Sequence, residues 1–350
     1  MPSSVIDLFC GVGGLTHGLQ RSGLNVVAGF DIEESCRYAY EHNNNAIFVN
    51  KDITQLSGEE LAQYYPENTT RILVGCAPCQ PFSKYTKRYR KMGQMDDKWR
   101  LLYSFSRLIE ELSPAIVSME NVPELNNETV FHDFIATLER LNYHADWEVV
   151  YCPDYGVPQH RKRLVLLASR IGEITLIPPT LQPENYITVR QAIGGLPALA
   201  DGDVDPNDIM HQASRLSDLN RRRIRQSVPG GTWRDWDDDL QLSCHRKNSG
   251  RSYPSVYGRM SWDEPSPTIT TQFYGVGNGR FVHPEQDRGL SLREGAILQS
   301  FPPEYVFIED AKQINKRTLG THIGNAVPVA LGQAIGISII QHLGEDCING

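Results

Sequence analysis

The chain has 350 residues, of which 40% are hydrophobic and 22% are charged, and its formal net charge is -8 at pH 7. This length and composition are typical of an ordinary globular protein with about two domains. No run reaches the roughly 18 uninterrupted apolar residues of a membrane span, and the seven cysteines are scattered, so we expect a cytoplasmic protein without membrane spans or a disulfide framework.

Two basic segments stand out against the acidic net charge. Residues 84–100 carry seven Lys or Arg and two Asp, and residues 211–260 carry ten Lys or Arg and five Asp. Such runs are often only a solvated face, but both lie beside candidate chemistry, and binding of nucleic-acid phosphates requires local positive charge. Both segments are therefore candidate contacts with nucleic acid.

Short apolar or β-branched runs alternate with helical patterns over about the first half of the chain. The runs predict buried strands and read SVIDLFC, NVVAGFD, RILVGCA, AIVSMEN, WEVVYC and RLVLLAS. Helical spacing is found between them in GGLTHGLQRSG, EESCRYAYEHN and WRLLYSFSRLIEEL. This alternation predicts a doubly wound α/β domain around a largely parallel sheet.

The pattern changes after about residue 178. Segments rich in Gly, Pro, Arg and Trp continue to about residue 284 with little periodicity, which predicts a second, smaller, loop-rich domain. Helical patterning returns in SLREGAILQSF and VPVALGQAIGISIIQHL. We expect the last of these segments, which is strongly apolar, to pack back against the first domain.

The first chemical feature is a glycine-rich turn between a strand and a helix, DLFCGVGGLTHGL. Glycines allow close approach of a ligand, and the helix N-terminus offers unpaired amides. The turn lacks the G-x-G-x-x-G spacing of dinucleotide-binding proteins, and such turns are often only structural. Asp31 and Asp52 each lie at the end of a later strand. Asp31 is suited to bind a ribose hydroxyl, and Asp52 is suited to accept a hydrogen bond from an adenine amine. Together these positions predict an adenosine-type cofactor.

The second feature is GCAPCQPFS, with Cys76 and Cys79 directly after a predicted strand. A zinc site would need two further ligands at close spacing, and a redox pair would normally lie in a short thioredoxin-like domain. A single nucleophilic thiol is the third interpretation and the best supported. The basic segment that follows could stabilise its thiolate.

Carboxylate and guanidinium groups follow in SMENVPEL and QHRKRLVLLAS, which contain Glu120, Arg161 and Arg163. Singly, these are common structural residues. Attack of a thiolate on C6 of a cytosine requires a proton or hydrogen bond at N3 and a cation at O2, which are tasks for a carboxyl group and an arginine.

These residues identify a resemblance to the cytosine-5 DNA methyltransferase family that covers almost the whole chain. DLFCGVGG resembles the cofactor motif, GCAPCQPFS the nucleophile motif, ENV the carboxylate motif and QHRKR the Q-x-R-x-R motif. GLSLREGAILQSFPPEY and GNAVPVALGQAIG resemble the ninth and tenth motifs. The resemblance implies that residues 1–190 and 286–350 form a catalytic, cofactor-binding domain and residues 191–285 a target-recognition domain.

The resemblance also implies a role for each matching residue. Cys79 adds to C6, Glu120 engages N3 and the exocyclic amine, and Arg163, next to Arg161, holds O2. S-adenosylmethionine supplies the methyl group and leaves as S-adenosylhomocysteine. The implied cofactor residues are Phe9, Gly11, Gly13, Leu15, Asp31, Ile32, Asp52, Ile53, Pro78, Asn325 and Val327. Asp31 stands where many relatives have Glu, and Ile32 where some have Trp.

The implied substrate is double-stranded DNA with the target cytosine flipped out of the helix, which costs a few kcal/mol. Lys and Arg after the nucleophile motif are expected to grip phosphates, and the recognition domain is expected to supply further anchors and base readers. The candidate DNA-binding residues are Gln80, Ser83, Lys84, Lys87, Arg88, Arg90, Arg221, Arg222, Arg223, Arg246 and Thr268. Trp233, Trp236 and Trp262 are expected to be core residues.

Three alternatives remain at this stage. A transfer-RNA cytosine-5 methyltransferase would use the same chemistry, a DNA-binding regulator could retain the motifs with little turnover, and an NAD-dependent dehydrogenase would leave the PCQ motif unexplained. The size of the region between the Q-x-R-x-R and ninth motifs favours DNA. We further expect a bacterial, archaeal or phage modification enzyme that acts as a monomer and needs no metal. Two settings stay open: a restriction-modification system with a cognate restriction endonuclease as partner, or an orphan modification enzyme.

Overall fold

The computed structural model describes residues 2–78, 96–247, 253–309 and 314–349, with only the helical backbone of residues 96–98 and 345–349. The chain divides into two compact units. The first comprises Met1–Tyr155, Lys162–Thr180 and Val327–Gly350, and the second comprises Gly156–Arg161 and Leu181–Ala326. The sequence analysis predicts a division by function: residues 1–190 and 286–350 for catalysis, and residues 191–285 for target recognition. That division stays a prediction.

The elements of the described chain are numbered in sequence order. The strands are β1 (Ser3–Leu8), β2 (Val26–Asp31), β3 (Ile47–Asn50), β4 (Thr70–Gly75), β5 (Ile116–Asn121), β6 (His144–Tyr151), β7 (Gln159–His160), β8 (Lys162–Ser169), β9 (Val204–Asp205), β10 (Asp208–Gln212) and β11 (Ser266–Pro267). The helices are α1 (Gly14–Ser22), α2 (Arg37–Asn43), α3 (Gly58–Ala62), α4 (Asp96–Leu112), α5 (Thr129–Arg140), α6 (Val189–Ile193), α7 (Asp218–Gln226), α8 (Leu292–Leu298), α9 (Lys316–Asn325) and α10 (Val329–Asn349).

The first unit is built on a seven-stranded sheet in the order β3-β2-β1-β4-β5-β8-β6. Strands β1 to β5 pair in parallel, whereas β8 is antiparallel to both β5 and β6. The prediction of a doubly wound, largely parallel α/β sheet is therefore confirmed, and all six predicted strands are present. Because β1 lies between β2 and β4, the chain reverses its winding there, and ligands bind beyond the strand carboxyl ends at such a point.

The apolar runs of the inner strands form strands because both faces of that part of the sheet are covered, whereas the edge strand β6 is mostly exposed. Every residue of β5 is buried, and the core cluster joins strand residues such as Phe30 and Leu73 to helix residues such as Phe105 and Phe131. A strand buried on both faces reads as a continuous apolar run, which is why the sequence pattern identified it. The edge strand β3 has only four residues, two of them exposed, and gives no such signal.

Helix α10 packs against α1 at very short range through glycines. A Cβ on Gly18 would lie 2.3 Å from the carbonyl oxygen of Val329, and one on Gly336 would lie 2.1 Å from the Ser22 hydroxyl. In the structure, the apolar C-terminal helix α10 therefore packs against α1, in the N-terminal part of the chain.

We expect Gly18→Ala to lower the melting temperature, because overpacking of a close contact costs about 1–3 kcal/mol. Thermal unfolding followed by circular dichroism measures the change. Gly344→Ala, on α10, is the matched control: its Cβ would meet nothing within 4 Å, and Ala favours a helix over Gly. Equal melting temperatures for the two variants would contradict the close packing of α1 on α10.

One helical stretch, Lys316–Gly344, is long and apolar enough to pass a length-and-composition test for a membrane span, with a mean hydropathy of 1.6. Inside the protein, 67% of its most apolar window is buried. A buried core helix passes the same test, and the packing of α10 on α1 accounts for the apolar residues of that helix.

The second unit has short elements and a core that is partly polar. Arg288 and Glu294 are each 1% exposed and pair at 2.7 Å, and Arg259 donates to the carbonyls of Ser227, Ile224 and His283. Trp233 and Trp236 are both 4% exposed and pack around His245, as predicted for core residues. Buried charge pairs and irregular backbone explain why the sequence of this unit shows little periodicity.

Candidate active site

The glycine-rich turn joins β1 to α1 with a backbone that favours glycine. Phe9, Gly11 and Gly13 have φ values of 61°, 51° and 87°, in the left-handed region. A Cβ on Gly11 would meet no atom within 4 Å, so the turn borders open space. Gly13, the N-cap residue of α1, has no side chain that could bond the amides of the first helical turn. The Thr16 amide donates to Asp7, and the amides before it are able to bind a ligand.

Asp31, at the end of β2, links that strand to the glycine-rich turn. Its Oδ2 accepts a hydrogen bond from the Gly11 amide at 2.8 Å, and its Oδ1 accepts one from the Glu33 amide at 2.9 Å. Ile32 beside it is 69% exposed, an unusual position for a large apolar side chain. The Asp31 carboxylate, which can accept further hydrogen bonds, thus lies next to the exposed apolar side chain of Ile32. A nucleoside requires both: an acceptor for its ribose hydroxyls and an apolar surface for its base.

Asp52 follows β3 and begins the short helical turn Ile53–Gln55. Its Oδ1 accepts bonds from the amide and hydroxyl of Thr54, at 2.9 and 2.8 Å, and these bonds lower the pKa of Asp52. The other predicted cofactor residues of the first unit differ in exposure: Leu15, Ile53 and Val327 are buried, and Pro78 is exposed. Asn325 ends α9 in the second unit and is exposed.

Asp7 lies in β1 behind the glycine-rich turn and was not among the predicted site residues. It is 1% exposed, and its Oδ2 accepts a 2.7 Å bond from the Thr16 hydroxyl, which also lies 3.1 Å from the Tyr40 hydroxyl. Burial raises the pKa of Asp7 from 3.8 to about 7, against the opposing effect of the Thr16 bond.

We expect Asp7→Asn to raise the melting temperature at pH 8 and to have little effect near pH 4. Because the folded-state pKa of Asp7, about 7, lies above the ordinary value of 3.8, its contribution to stability is full below about pH 4 and is lost as the pH rises to about 7. Asparagine cannot ionise and still accepts the Thr16 bond. Melting curves of both proteins across this range test the prediction; a pH-independent difference would contradict it.

A carboxylate, a guanidinium and a thiol meet at the carboxyl ends of β4 and β5. Glu120 is 2% exposed; its Oε1 lies 2.7 Å from Nε of Arg163, and its Oε2 accepts a hydrogen bond from the Cys76 thiol at 2.8 Å. The Arg163 side chain is 14% exposed. The structure thus brings together two of the predicted catalytic residues, Glu120 and Arg163, with a cysteine that the sequence analysis weighed only as part of a C-x-x-C pair.

Neighbouring backbone contacts support this cluster. The Cys76 amide donates to the carbonyl of Leu8 at 3.3 Å, and the Asn121 side chain donates to the carbonyl of Ala77 at 3.1 Å. These bonds tie the end of β4 to β1 and β5. Asn121 is therefore a second residue that the sequence analysis missed; its position in the ENV motif was the available signal.

Arg161 has a different environment from Arg163. It belongs to the second unit, is 3% exposed, and donates to the carbonyls of Ile269 at 3.0 Å and Gly324 at 3.4 Å. Gln159 nearby donates to Leu298. These contacts join segments of the Q-x-R-x-R, ninth and tenth motifs within the second unit. They favour a structural role for Arg161 over the predicted catalytic one.

Several predicted residues lie outside the described part of the chain. They are the nucleophile Cys79 and the DNA-contact candidates Gln80, Ser83, Lys84, Lys87, Arg88 and Arg90. The five cysteines that are described form no disulfide, and among the described residues no group of three or more His, Cys, Asp or Glu is arranged to hold a metal ion.

The DNA-contact candidates of the second unit have different environments. Arg222 is exposed and pairs with Asp239, whereas Arg221 is half-buried and pairs with Asp218 and Asp201. Arg246 is also exposed and donates to the Asp238 carbonyl, and Thr268 donates to the His160 carbonyl. Arg223, in contrast, is 7% exposed and donates to the Leu240 carbonyl at 2.9 Å. These contacts favour a structural role for Arg223, whereas exposed arginines can exchange acidic partners for phosphates.

Comparison with known proteins agrees with this geometry. The family model for C-5 cytosine-specific DNA methylase matches residues 3–341. Type II methylase M.HgiDII of Herpetosiphon aurantiacus is 57% identical over 98% of this chain and 96% of that protein. Type II methyltransferase M.Eco47II of Escherichia coli is 32% identical over 97% of this chain and 79% of that protein.

A solved structure of a methyltransferase encoded within an Escherichia coli prophage shares the fold. It matches with a TM-score of 0.74 and 21% identity, over 98% of this chain and 99% of that one. The fold, the order of the motifs and the two high-coverage relatives agree with the full-length family match. The chain therefore belongs to the C-5 cytosine-specific DNA methylase family, and it is an enzyme that methylates cytosine in DNA at carbon 5.

Proposed function

We propose that this methylase transfers the methyl group of S-adenosylmethionine to a flipped-out cytosine within a specific duplex sequence, as the modification enzyme of a Type II restriction-modification system. The observation that carries the proposal is the Glu120 carboxyl group, buried between Arg163 and Cys76 at the end of β5. Of the alternatives, transfer RNA as substrate and a regulator with little turnover are less consistent with the family match and the Type II relatives.

The residues at the ends of β1, β2 and β3 fit an adenosine cofactor with a charged amino-acid end. The open space beside Gly11 and the uncapped start of α1 suit a carboxylate, and Asp31 and Ile32 suit a ribose and an adenine ring. S-adenosylmethionine, when bound there, supplies an electrophilic methyl group. The proposed cofactor residues are completed by Phe9, Gly13, Leu15, Asp52, Ile53, Pro78, Asn325 and Val327.

In the proposed mechanism, the Cys79 thiolate forms a bond to C6 of the cytosine. The π-electron pair of the C5–C6 double bond moves onto C5, which becomes the carbon that takes the methyl group. Glu120 holds a proton at N3 and accepts a hydrogen bond from the exocyclic amine, while Arg163 stabilises the charge at O2. C5 would then take the methyl group as the bond between that group and the sulfonium sulfur breaks, which leaves S-adenosylhomocysteine, and C5 would lose its proton to a base. Elimination of Cys79 restores the ring double bond and releases 5-methylcytosine.

The target base must leave the duplex, because a stacked cytosine cannot present C6 to a thiolate. We propose that phosphates are bound by the basic segment at 84–100, by the exposed Arg222 and Arg246 and by the half-buried Arg221, which offsets this cost. Thr268 is proposed as a further contact, and Gln80 and Ser83 are proposed to contact the displaced strand or its backbone. We also propose that the enzyme acts as a monomer in the cytoplasm and that its partner is a cognate restriction endonuclease.

The decisive test is transfer of labelled methyl from S-adenosylmethionine to unmethylated duplex DNA and, in parallel, to transfer RNA. We expect label on DNA alone, after which bisulfite sequencing identifies the target sequence. Label on RNA alone would overturn the proposed substrate. Cofactor binding without transfer to either nucleic acid would favour a regulator.

We expect Asp31→Ala to raise the KM for S-adenosylmethionine by about 10-fold or more and to change kcat less. The substitution removes the ribose acceptor and also the bond that orders the Gly11 amide, and a charge-assisted bond contributes about 1.5–3 kcal/mol. Initial rates at varied cofactor concentration measure both constants. Glu59→Ala, an exposed carboxylate in α3, is the control, and an unchanged KM for Asp31→Ala would contradict the proposed site.

A further inference from the structure

We propose that Cys76 is a positioning residue for methyl transfer, whose thiol orients the Glu120 carboxyl group toward the target cytosine. The inference rests on the proposed role of Glu120 at N3 and the exocyclic amine. Cys76 lies 44 residues from Glu120 in sequence, yet its Sγ donates to Oε2 at 2.8 Å.

The orientation of the carboxyl group needs contacts of this kind. Rotation about the last torsion of a glutamate side chain is broad and roughly two-fold, so rotamer preference alone does not set the plane of the two oxygens. Arg163 Nε lies 2.7 Å from Oε1 of Glu120, and the Cys76 thiol donates a hydrogen bond to the other oxygen, Oε2. The arginine contact is an ion pair that lacks hydrogen-bond geometry at Oε1, so it leaves the carboxyl group able to turn. The Cys76 hydrogen bond on Oε2 is the directional contact that sets the plane of the two oxygens.

Cys76 is itself held in place. Its amide donates to the Leu8 carbonyl at 3.3 Å, and the following residue, Ala77, accepts a 3.1 Å bond from the side chain of Asn121, the neighbour of Glu120. The thiol and the carboxyl group are therefore carried by adjacent strand ends that are bonded to each other. Catalytic groups held by rigid strand ends keep their geometry more accurately than groups on loops.

A thiol suits this task because it is a weak, uncharged donor. A carboxylate oxygen has two lone pairs, so Oε2 can keep the thiol contact and also accept a bond from the exocyclic amine of the base. The contact then affects the orientation of Glu120 during the reaction more than the binding of DNA. Loss of the thiol should therefore lower kcat with little change in KM.

The test compares Cys76→Ala, Cys76→Ser and the matched control Cys152→Ala, which removes a fully buried thiol from the same unit. We expect Cys76→Ala to reduce kcat by about 10-fold to 100-fold, the scale of a misplaced catalytic group, with KM for DNA changed less than about twofold. Cys76→Ser, which keeps a donor, should recover kcat to within about threefold of wild type. Equal losses for Cys76→Ala and Cys152→Ala would overturn the inference, since both would then reflect stability alone.

A double-mutant cycle with Glu120→Gln separates this inference from the proposed function. If Cys76 acts through Glu120, Cys76→Ala should cost less than about twofold in the Glu120→Gln background, whereas independent effects multiply. An impaired Glu120→Gln combined with multiplying losses overturns only the positioning role of Cys76. A Glu120→Gln enzyme with wild-type turnover overturns both the proposed role of Glu120 and the positioning role.

Discussion

Cys79→Ser is expected to abolish methyl transfer to duplex DNA, with kcat reduced at least about 1,000-fold. A serine hydroxyl is essentially un-ionised at neutral pH, whereas a few per cent of an ordinary thiol is thiolate and a neighbouring positive charge increases that fraction. Residues 84–100, which follow the nucleophile motif, carry seven basic residues that can supply this charge. Because Cys79 acts on the base, binding of S-adenosylmethionine should stay within about twofold of wild type.

A duplex with 5-fluorocytosine at the target site gives a direct measurement of this role. Fluorine at C5 cannot leave as a proton, so the enzyme stays bonded to C6 and migrates as a denaturant-resistant complex. We expect the complex for wild type and for Cys152→Ala, and none for Cys79→Ser. A complex that persists in Cys79→Ser and disappears in Cys76→Ser would show that the nucleophile had been assigned to the wrong cysteine of the motif.

Glu120→Gln is expected to lower kcat by about 100-fold to 10,000-fold, the usual contribution of a general acid or base. Glutamine matches the shape of the carboxyl group but cannot hold an acidic proton at N3 of the cytosine. Its neutral amide also leaves Arg163, which is only 14% exposed, without the charge that lies 2.7 Å away. Cofactor affinity should be unchanged, since Glu120 lies at β5 and not at the ends of β1 to β3.

Single-turnover methyl transfer at saturating DNA measures this effect without interference from product release. Glu124→Gln is the matched control, because this exposed carboxylate lies four residues away in the same motif region and makes no contact with the cluster. The control should keep wild-type turnover. Wild-type turnover in Glu120→Gln would instead mean that N3 is engaged by another group.

The sheet could be predicted from the sequence because its signal is local. The six predicted runs became β1, β2, β4, β5, β6 and β8. Five of these strands lie inside the sheet, where strands covered on both faces are continuously apolar, whereas the edge strand β6 is mostly exposed and was identified by its Trp and Val residues. The edge strand β3 was not among these runs because it has only four residues, and the sequence analysis noted only its end, before Asp52. A two-residue strand such as β7 is too short to show a pattern. The direction of β8, antiparallel to β5, leaves no mark on residue spacing.

The two arginines of the Q-x-R-x-R motif illustrate a limit of motif matching. Arg161 and Arg163 are two positions apart, and both were among the predicted catalytic residues. In the structure, Arg163 pairs with Glu120. Arg161 is buried in the second unit and donates hydrogen bonds to the carbonyls of residues more than a hundred positions away in the sequence. A motif shows that residues are needed but not which of them face the ligand.

The sequence by itself determined the parallel sheet, the glycine-rich turn, the order of the motifs and the family, because each depends on residues close together in the chain. Only the tertiary structure decided which partners meet: Glu120 with Cys76 and Arg163, Asp31 with the Gly11 amide, and Asp7 with Thr16. These contacts join strand ends whose neighbours are set by the order of the strands in the sheet. That order follows from how the helices and strands pack their apolar faces together, a property of the whole chain and not of any one segment.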